Sequence, residues 1–181
     1  MFQSVRRVAP GAVCVLFCTQ WGLAAGPWPV PPPDPVRINF ELSALGGDRW
    51  QYTYEVANIS LGQPISEFTV WFDRNTQGNL SISTPNPPSA GWSELVAQPV
   101  PFLQLDGFYD ALSLAGGIPS GSHVWGFAVA FDWLGTGKPG AQRFEIIDPA
   151  NAMTLYQGQT VPEPVSLILL WTAALFSRRR H

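Results

Sequence analysis

Val124-Trp125-Gly126-Phe127-Ala128-Val129-Ala130-Phe131-Asp132-Trp133 is apolar at nearly every position and dominates the interior of this 181-residue chain. A run of that kind is either a buried helix or a strand covered on both faces. Its β-branched and aromatic residues, together with Gly126, favour the strand. Working outward, Val36-Arg37-Ile38-Asn39-Phe40-Glu41-Leu42-Ser43 and Trp50-Gln51-Tyr52-Thr53-Tyr54-Glu55-Val56 alternate apolar and polar, with Gly46-Gly47-Asp48 as a turn between them. Residues 65–72 follow after Leu61-Gly62-Gln63-Pro64, and the short connections predict that these three strands form an antiparallel meander.

Further strands are expected over residues 93–97, 102–105, 108–114, 123–133, 142–147 and 153–156, with a Pro- and Gly-rich surface loop over 84–91. Eight or nine short strands separated by Gly and Pro turns predict an all-β fold, an antiparallel β-sandwich, with a closed barrel as the next choice. Within it, Trp50, Trp71 and Trp125 alternate with other strand aromatics and are expected inside.

The ends have a different character. Arg6 and Arg7 precede a largely apolar stretch, and Leu23-Ala24-Ala25-Gly26 supplies small residues for a peptidase, so residues 1–25 read as a secretory signal helix. Residues 26–35, rich in proline, form an extended spacer before a β domain over 36–160. Cys14 and Cys18 both fall in the signal, leaving the exported chain without disulfides or a thiol nucleophile. From Asp34 to Glu163 five basic residues face 13 acidic ones, a net charge of −8. Such a domain repels nucleic acid and anionic lipid, and a basic nucleic-acid binder is excluded.

At the other end, Val161-Pro162-Glu163-Pro164 leads into an apolar run over 165–176, then Ser177 and Arg178-Arg179-Arg180-His181. The prolines bar a helix from continuing upstream, and the arginines hold the far end at a cytoplasmic face. The run over 165–177 has 13 residues, fewer than the roughly 20 needed to cross a bilayer core, which suits a transient anchor in a short apolar helix.

This ending, residues 161–181, resembles the PEP-CTERM sorting signal of Gram-negative bacteria, whose substrates are processed by the membrane protease-transpeptidase exosortase. The resemblance implies that Pro162, Glu163 and Pro164 are the recognition motif and that Arg178, Arg179 and Arg180 are the membrane stop. It further implies passage through the inner membrane, delivery to the cell surface or extracellular matrix, and a link to exopolysaccharide and biofilm. The interior is also similar to extracellular β domains that precede this signal in other such proteins, through Tyr52-Thr53-Tyr54-Glu55-Val56-Ala57-Asn58, Gly126-Phe127 and Phe144-Glu145-Ile146.

Residues for catalysis are sparse. His123 is the one histidine between the terminal segments, no Gly-x-Ser-x-Gly elbow accompanies it, and a hydrogen-bonded or surface role is the simpler reading. One histidine without cysteine does not make a zinc site. Calcium could use Asp106, Asp110, Asp132 and Asp148, whose spacing matches no EF-hand and reads first as solvated surface. Glu41, Glu55, Glu67, Glu94 and Glu145 could supply a glycosidase pair only if two of them faced one cleft. The expectation is a non-enzymatic protein without cofactor or metal. Asn58-Ile59-Ser60 and Asn79-Leu80-Ser81 match glycosylation sequons by coincidence. Trp92, after the Pro-rich loop, is the tryptophan expected to stack on extracellular polysaccharide if the domain is a carbohydrate-binding module; a secreted hydrolase has little support.

Overall fold

The structure, a computed structural model, describes residues 33–163. The expected signal helix, most of the Pro-rich spacer and the C-terminal apolar helix with its arginines lie outside the described residues.

Among the described residues ten strands make two five-stranded sheets. They are β1 (Val36–Gly46), β2 (Arg49–Asn58), β3 (Glu67–Phe72), β4 (Gln77–Ile82) and β5 (Trp92–Ala97), then β6 (Gly107–Ser113), β7 (Ser122–Trp133), β8 (Arg143–Asp148), β9 (Met153–Gln159) and β10 (Val161–Pro162). The first sheet runs β10-β1-β2-β7-β4 and the second β5-β6-β3-β8-β9. All pairings are antiparallel except β1 with β10, which is parallel, so the first sheet is mixed.

Alternation explains the layering. On β1 and β2, Ile38, Phe40, Tyr52, Tyr54 and Val56 turn inward, and Phe68, Val70 and Phe72 of β3 meet them from the second sheet. Aromatic rings fill the space between: Tyr52 stacks on Phe131 at 4.9 Å between centroids, and Phe68 meets Phe127 edge-on at 4.9 Å. Such offset and edge contacts suit the ring quadrupole, and each large ring removes much apolar area from water. Polar tips of these rings are satisfied at the rim of the core. Tyr52 Oη donates to Gly140 O at 2.7 Å, and Tyr54 Oη donates to Gln142 Oε1.

Three expectations about the strands are corrected. First, β3 does not continue a meander with β2; it pairs with β6 and β8 in the opposite sheet. Asn58 directs this crossing: it is fully buried, its Nδ2 donates to Gln63 O and Ile118 O at 2.9 Å each, and its Oδ1 accepts from Leu61 N. A loop tied in this way carries the chain over the rim to the other layer, and leaves the Asn58 amide no freedom to carry a glycan. Second, the strand expected over 102–105 is a 3-10 turn, Pro101–Leu103, because Pro101 sets a helical φ and removes a ladder donor. Its Phe102 is 84% exposed. Third, β4 was not expected, since Gln77-Gly78-Asn79-Leu80-Ser81-Ile82 has little apolar alternation.

β4 and β5 are facing edges of the two sheets, and side chains join them. Gln98 Oε1 accepts from Leu80 N at 2.8 Å while Gln98 Nε2 donates to Leu80 O at 2.7 Å. Nearby, Thr84 Oγ1 and Tyr109 Oη both donate to Glu94 Oε2, at 2.5 and 2.6 Å.

The long strand β7 is buried on both faces from Gly126 to Phe131, as its composition implies. It also contains the main irregularity of the first sheet. Tyr54 of β2 pairs with Phe127, but the next residue, Glu55, pairs with Trp125. Gly126 is therefore an unpaired bulge residue at φ +107°, a conformation suited to glycine. The bulge reverses the facing of everything before it. Phe127, Val129 and Phe131 enter the core, whereas Trp125 turns outward and is 51% exposed. Trp125 is thus not inside, contrary to expectation. Trp71 also departs from expectation: its neighbours Val70 and Phe72 are core residues, and it lies on the opposite face of β3, against Phe108 and beneath Arg143. Trp50 does pack against the core.

Candidate functional site

The residues with a sequence-based role are spread over the last described strand, a cleft at one end of the sandwich, the outer sheet faces, a turn and the edge of the core.

Pro162 and Glu163 close the described chain. Val161 pairs with Asn39 and Pro162 with Phe40, and Glu163 N donates to Phe40 O at 3.0 Å. Proline suits this outermost strand because the missing N–H removes a donor that an edge need not use. All three side chains are exposed. Pro164 and Arg178–Arg180 lie outside the described residues.

A cleft of about 390 Å³ opens where the turn after β3, the end of β7 and the lead into β8 meet. Its walls include Trp71, Trp133, Arg74, Arg143, Asp106 and Asn75. The charged groups are already matched. Arg74 Nη1 donates to Asp106 Oδ1 at 3.0 Å, the Arg143 guanidinium sits 4.7 Å above the Trp71 ring, and Asp73 Oδ1 accepts from Asn75 N and Nδ2. Trp133 Nε1 donates to Gly137 O at 3.1 Å. The Trp71 Nε1–H is buried without a hydrogen-bond partner. The cleft thus presents polar walls and aromatic edges.

None of the five glutamates considered for glycoside cleavage lines this cleft. Glu41 and Glu55 belong to the first sheet, and Glu67 and Glu145 to the second. Glu94, half-buried, accepts from Thr84 and Tyr109. Burial, and secondarily the Asp110 charge, holds the Glu67 carboxyl above its usual range. Burial likewise raises Asp110, partly offset by the hydroxyl of Thr69, which donates to Asp110 Oδ1 at 2.7 Å.

The four aspartates considered for calcium are likewise separated. Asp106 is paired with Arg74, and Asp148 accepts from Ala150 N in its own turn. Asp132 receives Arg49 at 2.9 Å and Asn79 at 3.0 Å, which hold its carboxyl below the usual range. Among the described residues, no group of three or more His, Cys, Asp or Glu side chains is gathered as a metal ion requires.

His123 is on the exposed outer face of β7, with Nε2 3.7 Å from Glu55 Oε1. Among the described residues no serine or threonine hydroxyl hydrogen-bonds to it, so the nucleophile–base contact of a hydrolytic triad is missing. Trp92 has its ring edge-on to Phe127 at 5.1 Å and to Phe68 at 5.9 Å, placing it against the core. The tryptophan that sequence reasoning missed is Trp125. Its signal was Gly126, a glycine within a strand pattern, which marks a bulge as readily as a weak strand former.

No family model and no curated protein matches the chain. Among solved structures, it is similar to a chain of a type I cohesin–dockerin complex from Clostridium thermocellum, with TM-score 0.36 and 14% identity over 70% of this chain and 99% of that one. It is also similar to the second type II cohesin module of an adaptor scaffoldin from Acetivibrio cellulolyticus, with TM-score 0.34 and 12% identity over 70% and 91% of the two chains. An exo-β-N-acetylglucosaminidase from Vibrio harveyi matches with TM-score 0.33 and 10% identity, over 72% of this chain and 18% of that chain.

Proposed function

We propose that this chain is an exported, non-enzymatic β-sandwich protein of the cell surface or extracellular matrix, sorted and processed through a C-terminal PEP-CTERM signal and associated with exopolysaccharide. The observation that carries the reading is the order of elements at the end of the sequence: Pro162-Glu163-Pro164, an apolar run, then Arg178-Arg179-Arg180. In this reading exosortase is the processing partner, residues 1–25 direct export, and the inner membrane holds the C-terminal run only until cleavage. Polypeptide carrying apolar segments at both ends and an acidic, cysteine-free interior suits that route. Among the described residues, no helix is long and apolar enough to cross a membrane. The non-enzymatic assignment is supported by a cleft that none of the five glutamates lines and by His123 facing Glu55 without a nucleophile.

Intact mass spectrometry of the protein expressed in its native host tests the sorting. The wild-type chain is expected to lose both terminal segments and leave the inner membrane. A variant with Pro162, Glu163 and Pro164 replaced by Ala, Gln and Ala should stay membrane-bound with its C-terminus intact. Identical C-terminal masses for the two proteins would overturn the proposal.

A further inference from the structure

We infer that Trp125, with Glu55, Asn39 and His123 beside it, forms a stacking platform for a neutral pyranose unit of a polysaccharide chain. The inference deepens the polysaccharide association proposed above and does not depend on how the protein is sorted.

The platform is made by the bulge. In an unbroken strand Trp125 would share a face with Phe127 and enter the core; the extra residue Gly126 sends it outward instead. Bulges recur where a side chain has to be re-aimed, and this one exposes the largest apolar side chain available. Trp125 is 51% exposed. Among the described residues it has no stacked aromatic neighbour and no cation over its face, whereas Trp71 is covered by Arg143 and Trp92 is set against Phe68 and Phe127.

The surroundings specify the ligand. Glu55 stands directly opposite on β2, with its side chain 24% exposed. Asn39 Nδ2 donates to Glu55 Oε2 at 2.8 Å, and His123 Nε2 lies 3.7 Å from Oε1. The carboxylate is therefore held in one orientation next to the ring with acceptor capacity remaining, since an ionised carboxylate can accept about four hydrogen bonds. A pyranose has an apolar C–H face and a rim of hydroxyls, and it fits a flat ring flanked by fixed acceptors and donors. Other occupants fit less well. A protein partner needs roughly 800 Å² per side with an apolar centre, and here one ring is set among polar groups. Phosphate and uronate ligands meet the Glu55 carboxylate and, over residues 34–163, a net charge of −8.

The test uses the full chain as exported, titrated with cellohexaose, chitohexaose and oligogalacturonate, followed by tryptophan fluorescence and calorimetry. A neutral hexasaccharide should bind with a sub-millimolar Kd and oligogalacturonate should not. Trp125→Ala should weaken binding at least tenfold with an unchanged melting temperature, and Glu55→Gln should weaken it severalfold. Absence of binding to both neutral hexasaccharides, or wild-type affinity in Trp125→Ala, overturns the assignment. Sedimentation showing a dimer that Trp125→Ala dissolves would also overturn it, giving the face to a second copy. Normal processing without binding sinks this inference alone; binding by an unprocessed chain sinks the sorting reading alone.

Discussion

Gln98, just beyond β5, satisfies both main-chain groups of Leu80, in the edge strand of the opposite sheet. Leu80 lies in the stretch of β4 where the register with β7 shifts, between Gly78 and Ser81, so the ladder supplies it no partner. A side-chain amide thus stands in for a strand.

Replacing Gln98 by Ala removes two hydrogen bonds and leaves Leu80 N–H and C=O to whatever water reaches them. The expected loss is about 1–2 kcal/mol of stability, read as a lower urea midpoint with an unchanged slope. An unchanged midpoint would show that solvent replaces Gln98 without cost.

Gly126→Ala should also destabilise. A side chain at φ +107° is strained, and the added Cβ would stand 3.2 Å from Pro88 Cδ, so the Pro-rich loop must give way. A loss of about 1–3 kcal/mol is expected by thermal or urea unfolding. Wild-type stability would mean that the bulge is not held by this glycine.

Asp110 and Asp132 should respond to pH in opposite senses. The Asp110 carboxyl is raised in the fold by burial, so its stabilising contribution is complete below the unfolded carboxylate range and is lost as pH rises through the folded value. Asp110→Asn, which still accepts from Thr69, should therefore raise the melting temperature at pH 7 and have little effect at pH 3. Asp132 is lowered by Arg49 and Asn79, so its contribution is present above the unfolded range and is lost as pH falls through the folded value. Asp132→Asn should lower the melting temperature at pH 7, with the difference closing on acidification. Melting curves from pH 2 to 8 decide both.

Burial raises the hydroxyls of Tyr52, Tyr54 and Tyr109 well above the ordinary tyrosine value. Their contribution to stability is full below the unfolded value of about 10 and falls as pH climbs past it, because only the unfolded chain releases these protons. Absorbance at 295 nm should show them ionising together with loss of the fold. Gradual ionisation of all tyrosines in a folded protein near pH 10 would contradict the buried cluster.

The two layers were legible because alternation in β1, β2 and β3 is regular, turning one face of each strand inward. What was not legible depends on single residues acting at a distance. The crossing from β2 to β3 rests on Asn58 reaching Ile118, 60 residues away. β4 depends on Gln98 and β7 more than on its own pattern. The outward turn of Trp125 requires knowing that Gly126 is skipped in pairing, and one skipped residue reverses every side chain before it. The Pro162-Glu163-Pro164 string proposed as a sorting motif, by contrast, is local and is read without any tertiary context.

Strand β10 runs in the same direction as β1 beside it, with Glu163 N bonded to Phe40 O. Tension applied at Val36 and at Glu163 pulls these neighbours past each other lengthwise. The contacts between them must then yield together, not open in succession like a zip. A domain tethered by its tail and dragged by flowing liquid would meet the strain with its first and last strands gripping side by side.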